Sequence, residues 1–378
     1  MIRRLIIPAL LLTCIGFSCR DLYDPGLESS SESYLVVEGV LNAGNGPTNI
    51  QLTRTFKLDD NARVTPENNA LVAVEGKDNT TAYLTMTGDG LYTSPDLGLV
   101  VGQEYRLRIV TANSKEYLSD FVVAKQTPVI DSISFRQNDK GVQTYVTTHD
   151  KTGDTRYYLW NFDETWEIKT YYFSFFKYES GDVFPHARTS AEYVSICWKY
   201  GYSHDILIGS SASYQMDSIP EAPVNFIGNG DERLAIRYST LVRQFALDKK
   251  SYEFYELMKK NTESLGTIFD AQPSQVEGNI HSVSDPNEPV IGYVTASTME
   301  EKRIFIDASD LNNWRFDQYC RSERIANNPD SIRMAYESGA EVYDAVYMGI
   351  FIVGYLFSNP PCVDCTRRGG DLTRPPYW

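Results

Sequence analysis

The stretch Glu104-Tyr105-Arg106-Leu107-Arg108-Ile109-Val110 decides the fold class. Tyr105, Leu107 and Ile109 alternate with Arg106 and Arg108, a period of two that puts the apolar side chains on one face of a strand and the cations on the other. Runs of similar length, rich in Val, Tyr, Thr and Leu, lie around it at 34–41, 48–56, 70–75, 81–86, 90–94 and 116–123. Most are separated by Gly, Asn or Asp, and Asp78-Asn79 and Gly88-Asp89-Gly90 are turn signals. Short strands at this spacing predict an antiparallel, immunoglobulin-like β-sandwich over residues 34–126.

Gln126-Thr127-Pro128-Val129 marks a boundary, because Pro128 ends one extended run and another follows. A chain of 378 residues is long for one core, so a second domain over 127–378 is expected. Its extended runs at 130–136, 143–149, 157–169, 276–282, 289–297, 303–307 and 341–357 make it β-rich, and the whole chain is read as mainly β, a tandem of sandwiches. Two helices interrupt it. One is predicted at 248–265, with Asp248 as cap and Gly266 as stop, and one at 329–337, with Asn328 as cap, Pro329 at the first position and Gly339 as stop. The apolar stretch 346–357 is too short to span a bilayer and is assigned to the core.

Residues 1–18 read as an export signal, with Arg3 and Arg4 before an apolar stretch. Gly16-Phe17-Ser18-Cys19 follows, so Cys19 is expected to be cleaved free and acylated, and residues 19–33, polar and rich in Ser and Glu, to be a flexible tether. Loss of the leader takes the formal charge from −15 to about −17. Such a balance repels phosphates and argues against nucleic acid. Cys197, Cys320, Cys362 and Cys365 remain, an even count that predicts two disulfides with three possible connectivities in an exported chain.

Catalytic constellations are weak. Asp163, Glu164 and Glu167 lie among aromatics, but Asp163 and Glu164 point to opposite faces of a strand and cannot form a glycosidase pair. His149, His186, His204 and His281 are scattered, no nucleophile elbow is present, and Gly228-Asn229-Gly230 lacks the Lys of a phosphate loop. No catalytic residue, metal site or cofactor is assigned. The aromatic stretch supplies the candidate contact surface instead: Trp160, Trp166, Tyr171, Tyr172, Phe173, Phe175 and Phe176, with Trp198 further on.

Several phrases in order along the chain resemble the domain-of-unknown-function 4249 family. They are Leu35-Val36-Val37-Glu38-Gly39, Ile130-Asp131-Ser132-Ile133, Tyr157-Tyr158-Leu159-Trp160 with Glu164-Thr165-Trp166-Glu167, and Arg237-Tyr238-Ser239 with Arg243-Gln244. Phe269-Asp270-Ala271-Gln272-Pro273, Gly278-Asn279-Ile280-His281, Cys362-Val363-Asp364-Cys365 and Pro376-Tyr377-Trp378 complete the set. The resemblance implies a Bacteroidota outer-membrane lipoprotein, often encoded beside TonB-dependent transporters. Asp21 and Asp24 after Cys19 are similar to surface-export tags, so display on the cell surface is expected. The expected role is a non-catalytic ligand-binding or assembly partner of a transporter barrel, held to the membrane by its lipid. The alternatives are a surface hydrolase acting on glycan or peptide, and a structural envelope protein.

Overall fold

A computed structural model describes residues 33–55, 65–214, 216–263 and 277–378. Cys19, the leader and all of the tether but Ser33 lie outside the described residues, as do the expected helix end at Leu265 and Gly266 and the Phe269-Asp270 phrase. The protein is mainly β.

Strand Glu104–Val110 buries every second residue, Tyr105, Leu107 and Ile109. Its outward cations find carboxylates across the ladder, Arg106 to Glu75 at 2.7 Å and Arg108 to Glu116 at 2.6 Å. This strand sits in a twelve-stranded sheet. Along its main path the order is Ile280–Ser282, Glu116–Ser119, Glu104–Val110, Leu71–Gly76, Thr81–Gly88, Leu91–Ser94, Thr48–Arg54, Leu35–Asn42 and Val290–Gly292. The two outermost strands, Ile280–Ser282 and Val290–Gly292, are close neighbours in the chain, so the sheet curls until its edges nearly meet. Leu35, Ile50, Leu52, Val72, Leu107 and Ile280 fill the inside.

Two expectations change here. The first unit is a nearly closed barrel-like sheet, and this strand order does not make an immunoglobulin-like pair of facing sheets. In addition, strands Ile280–Ser282, Val290–Gly292 and Thr295–Ser297 leave the expected domain 127–378 to pair with Glu116–Ser119 and Leu35–Asn42. The physical reason is that the earlier strands would otherwise present open edges, and the later ones cover them.

The second unit is built on the thirteen-residue strand Tyr157–Lys169. It pairs with Arg237–Leu247 on one side and with Ile196–Tyr202 and Leu207–Ser210 on the other, and Arg237–Leu247 pairs in turn with Met299–Asp307. A three-stranded sheet of Ile130–Gln137, Gly141–His149 and Ser218–Gly228 shares a core with it, in which Tyr158, Trp160, Phe162 and Val242 meet Val146 and Val224. The last three-stranded sheet, Ser322–Ala326, Phe351–Ser358 and Glu341–Met348, packs Val342, Tyr355 and Phe357 against Phe176 and against Ile332 of helix Pro329–Glu337. That helix begins as expected, Asn328 accepting from the amides of Asp330 and Ser331. Helix Lys249–Glu263 starts under Asp248, whose carboxylate accepts from Ser251 N at 2.7 Å.

The apolar stretch 346–357 is only partly core. Tyr355 and Phe357 are buried, whereas Tyr347, Met348, Ile350 and Phe351 are exposed. Among the described residues no helix is long and apolar enough to cross a membrane.

Candidate functional site

Where the barrel faces the second unit, a cleft of about 530 Å³ opens. Strand Leu35–Asn42 supplies Glu38 and Asn42 to one wall; Tyr157–Lys169 supplies Trp160, Asn161 and Asp163 to the other, and Arg237–Leu247 adds Arg243 and Phe245. Tyr255 of helix Lys249–Glu263 and the loop residues Ser203 and Asp205 close the ends. An apolar annex of about 170 Å³ continues from it, sharing Glu38, Gly39, Ile206 and Tyr255 and adding Val36, Phe254, Met258, Ile291 and Tyr293.

The annex exists because a parallel ladder is interrupted. Residues Leu35 to Val37 pair with Val290 to Gly292, and Val40 to Asn42 pair with Thr295 to Ser297, but Glu38 and Gly39 lie between the two stretches. There the side chain of Asn279 takes over the backbone of Val294, accepting from its N–H at 2.8 Å and donating to its C=O at 2.9 Å. Gly278 lies so close to Gly292 that a Cβ on it would sit 1.9 Å from the Gly292 carbonyl oxygen. Among the described residues, Glu38 and Gly39 are thereby left without a partner on that side of the strand, and helix Lys249–Glu263 roofs the gap with Phe254 and Met258.

Charge in the cleft is partly neutralised. Arg243 donates to Asp163 at 2.5 Å, and Glu301 lies 3.7 Å from its Nε. The Asp163 hydrogen bond holds the Arg243 guanidinium above its usual range in spite of burial, so Arg243 stays cationic. Burial, then the charge of Glu38, pushes the Tyr255 phenol up. Burial chiefly, with Asp248 and Asp120 adding, pushes Tyr293 up to about 12. Both phenols are therefore neutral hydrogen-bond donors near pH 7. Glu38 and Asp205 are exposed on the rim. The side-chain Oδ1 of Asn161 is buried in the wall without a partner among the described residues.

Few of the residues singled out by sequence meet here. Trp160 backs the cleft but is 2 % exposed, and its indole donates to Gln244 at 2.8 Å. Trp198 and Phe176 are core residues too, and Trp166 is half-buried. Tyr172 stacks on Tyr343 at 4.4 Å, while Phe173 packs against Phe175 and Tyr193. Of the eight rings, Tyr171 and Phe175 are the exposed ones, so the aromatic stretch does not make one contact surface. The reason is alternation. Every second residue at the start of Tyr157–Lys169 turns inward, Tyr158, Trp160 and Phe162 among them, and the loop after it packs on the last sheet.

Asp163 and Glu164 do point opposite ways, Asp163 into the cleft and Glu164 into the core, where Tyr238, Arg233 and Asn225 donate to it. Glu167 accepts from the Trp378 indole at 3.1 Å. His281 lies 3.5 Å from Asp120 and His149 2.6 Å from Asp131, both away from the cleft. The four cysteines pair as Cys197–Cys365 and Cys320–Cys362. Cys362 and Cys365 thus belong to different bonds, and Cys-Val-Asp-Cys is not a redox pair.

A family model described as a domain of unknown function, DUF4249, matches residues 20–303. The chain belongs to the DUF4249 family. The match covers both walls of the cleft, the annex and the barrel, and ends before the Ser322–Ser358 sheet and the disulfide-bound tail. No curated protein matches the chain. Among solved structures, a DUF3823 family protein from Parabacteroides merdae is 10 % identical and aligns over 58 % of this chain and 92 % of that one, with a TM-score of 0.12, too low to imply a common fold.

Sequence reasoning missed Glu38, Asn42, Tyr255 and Tyr293 as site residues. Their spacing along the chain carries no local signal, because the cleft and its annex are assembled from segments far apart in the chain.

Proposed function

We propose that this DUF4249 member is a ligand-binding accessory protein, tethered through an acylated Cys19 to the outer membrane and working beside a transporter barrel at the cell surface. The cleft carries the reading. Its volume lies in the ordinary range for small-molecule sites, about 300–1,000 Å³, and it joins a polar end to an apolar one. The Asp163–Arg243 pair, the phenols of Tyr255 and Tyr293 and the rim carboxylates suit a ligand with hydroxyl or amino groups at one end and an apolar part at the other. The family resemblance and the leader support the tether and the transporter.

A thermal-shift screen with monosaccharides, dipeptides and alkyl amines tests the binding. At least one class should raise the unfolding midpoint of the wild type and leave Tyr255→Ala and Arg243→Ala unmoved. Shifts that are equal in all three proteins, or none at all, would remove the cleft as a binding site. Extraction from the native membrane in mild detergent should bring down a barrel protein; recovery of the lipoprotein alone would count against the partner.

One observation favours a hydrolase, namely that Glu38, Asp163 and Asp205 line the same cleft. If that reading holds, the glycan or dipeptide that shifts the midpoint is turned over, and Glu38→Gln or Asp205→Asn abolishes the turnover.

A further inference from the structure

The hairpin of Glu341–Met348 and Phe351–Ser358 runs past the strand that supports it. Strand Ser322–Ala326 pairs with Phe351–Ser358 only as far as Ala326 opposite Gly354, and the side chain of Asn327 reaches Ile352 O at 2.9 Å. Beyond that point the two strands continue alone, through Tyr347 opposite Ile352 and Met348 opposite Phe351, to a turn at Gly349 and Ile350. Four residues at about 3.3 Å each project the tip by roughly 13 Å from the level of Gly354.

The tip is apolar on every side. Exposure is 56 % at Tyr347, 69 % at Met348, 87 % at Ile350 and 69 % at Phe351. Tyr347 and Met348 are adjacent on one strand and therefore face opposite ways, Phe351 shares the Met348 face, and Ile350 caps the apex. No charged residue occurs between Asp344 and Asp364. Soluble proteins rarely leave such a group of large apolar side chains in water without a use for it.

We infer that this tip inserts into the interfacial region of a lipid bilayer. The geometry selects a fluid occupant, because a flat protein face would cover Met348 and Phe351 or Tyr347, but not both sides and the apex. The projection exceeds the roughly 5–10 Å to which interfacial elements sink, so the tip can reach that depth, and with no charge on it insertion desolvates no ion. With no cation on the tip to draw it to anionic headgroups, apolar insertion is the driving force, and a zwitterionic surface tests it. The inference is independent of the cleft and of its ligand. It adds a second membrane contact to any acyl chain, the arrangement that makes anchoring stable.

The test uses the chain from Arg20 to Trp378, so that neither the apolar leader nor a lipid contributes, and sedimentation with phosphatidylcholine vesicles. The protein should partition into the vesicle pellet, and Ile350→Asp with Phe351→Asp should lower the partition coefficient at least about tenfold while leaving the unfolding midpoint in place. A Met348→Trp reporter should shift its emission to shorter wavelength when vesicles are added. Absence of partition by the chain from Arg20 to Trp378, or equal partition by the double aspartate variant, would overturn the inference. So would a concentration-dependent dimer that the double variant abolishes, since the tip would then belong to a second copy of the chain.

Discussion

Tyr238 donates a 2.9 Å hydrogen bond to Glu164, joining two buried residues of neighbouring strands at the centre of the second unit. Arg233 at 3.0 Å and Asn225 at 3.2 Å donate to the same carboxylate, and Asn225 also donates to the Tyr238 oxygen at 2.8 Å. Burial, then the Glu164 charge, drives the Tyr238 phenol well above its usual range, so it is a donor near pH 7.

Tyr238→Phe keeps the ring and deletes one donor to a buried carboxylate. We expect a loss of about 1–3 kcal/mol in urea unfolding, the ordinary cost of an under-satisfied buried group. Glu164→Ala should cost more, because it leaves the Tyr238 phenol without its acceptor and takes one acceptor each from Asn225 and Arg233. A change below about 0.5 kcal/mol in both would mean that water replaces the network.

The C-terminal residues strap the outer face of the same sheet. The Tyr377 hydroxyl shares a 2.8 Å hydrogen bond with the Thr165 hydroxyl, Arg303 lies 3.7 Å over the Tyr377 ring, and Trp378 donates to Glu167. Tyr377→Ala should lower stability by about 1–2 kcal/mol, and Tyr377→Phe, which keeps the cation–π contact, by less than about 1 kcal/mol. Equal losses in the two variants would show that the ring contact contributes nothing.

The disulfides close loops of very different length, 168 residues for Cys197–Cys365 and 42 for Cys320–Cys362. Chain entropy alone makes the longer loop worth about 1 kcal/mol more. Paired Cys→Ala replacement should therefore cost more at Cys197 and Cys365 than at Cys320 and Cys362, each within about 2–5 kcal/mol by denaturant titration. The reverse order would place the stabilisation in the native state and not in the unfolded chain.

Acid should weaken the fold through Glu232. Burial alone would raise its pKa, but hydrogen bonds from Lys199 and Arg368 and their charges outweigh burial and leave it below the ordinary carboxylate range. A depressed folded pKa means stability that is present above the unfolded value near 4.5 and lost as pH falls through the folded one. Glu341, raised by burial above its usual range in spite of Arg367, works in the opposite sense, losing stability as pH rises. Unfolding midpoints between pH 7 and 3 should fall in the wild type and fall less steeply in Lys199→Met. Parallel curves would exclude Glu232 as the source.

Much of the fold was legible in particular residues. The alternation at Tyr105, Leu107 and Ile109 is a local property, since side chains of a strand point alternately whatever it pairs with, and the capped starts of the helices at Asp248 and Asn328 depend on the first turn only. Strand order was not legible. Nothing local in Ile280, Val290 or Thr295 says that they close a sheet begun more than two hundred residues earlier, and a sandwich and a barrel share the same alternation.

The mainly β character of the chain, the opposite directions of Asp163 and Glu164 and the candidacy of Cys197, Cys320, Cys362 and Cys365 for pairing were all legible from sequence alone. Tertiary structure alone decided which cysteines join, that the rings of Trp160, Trp198 and Phe176 are core, and that Glu38, Arg243 and Tyr255 share a cleft. The division follows range: backbone geometry and side-chain polarity act within a few residues, whereas a cleft or a disulfide depends on how distant strands settle against one another to bury their apolar faces.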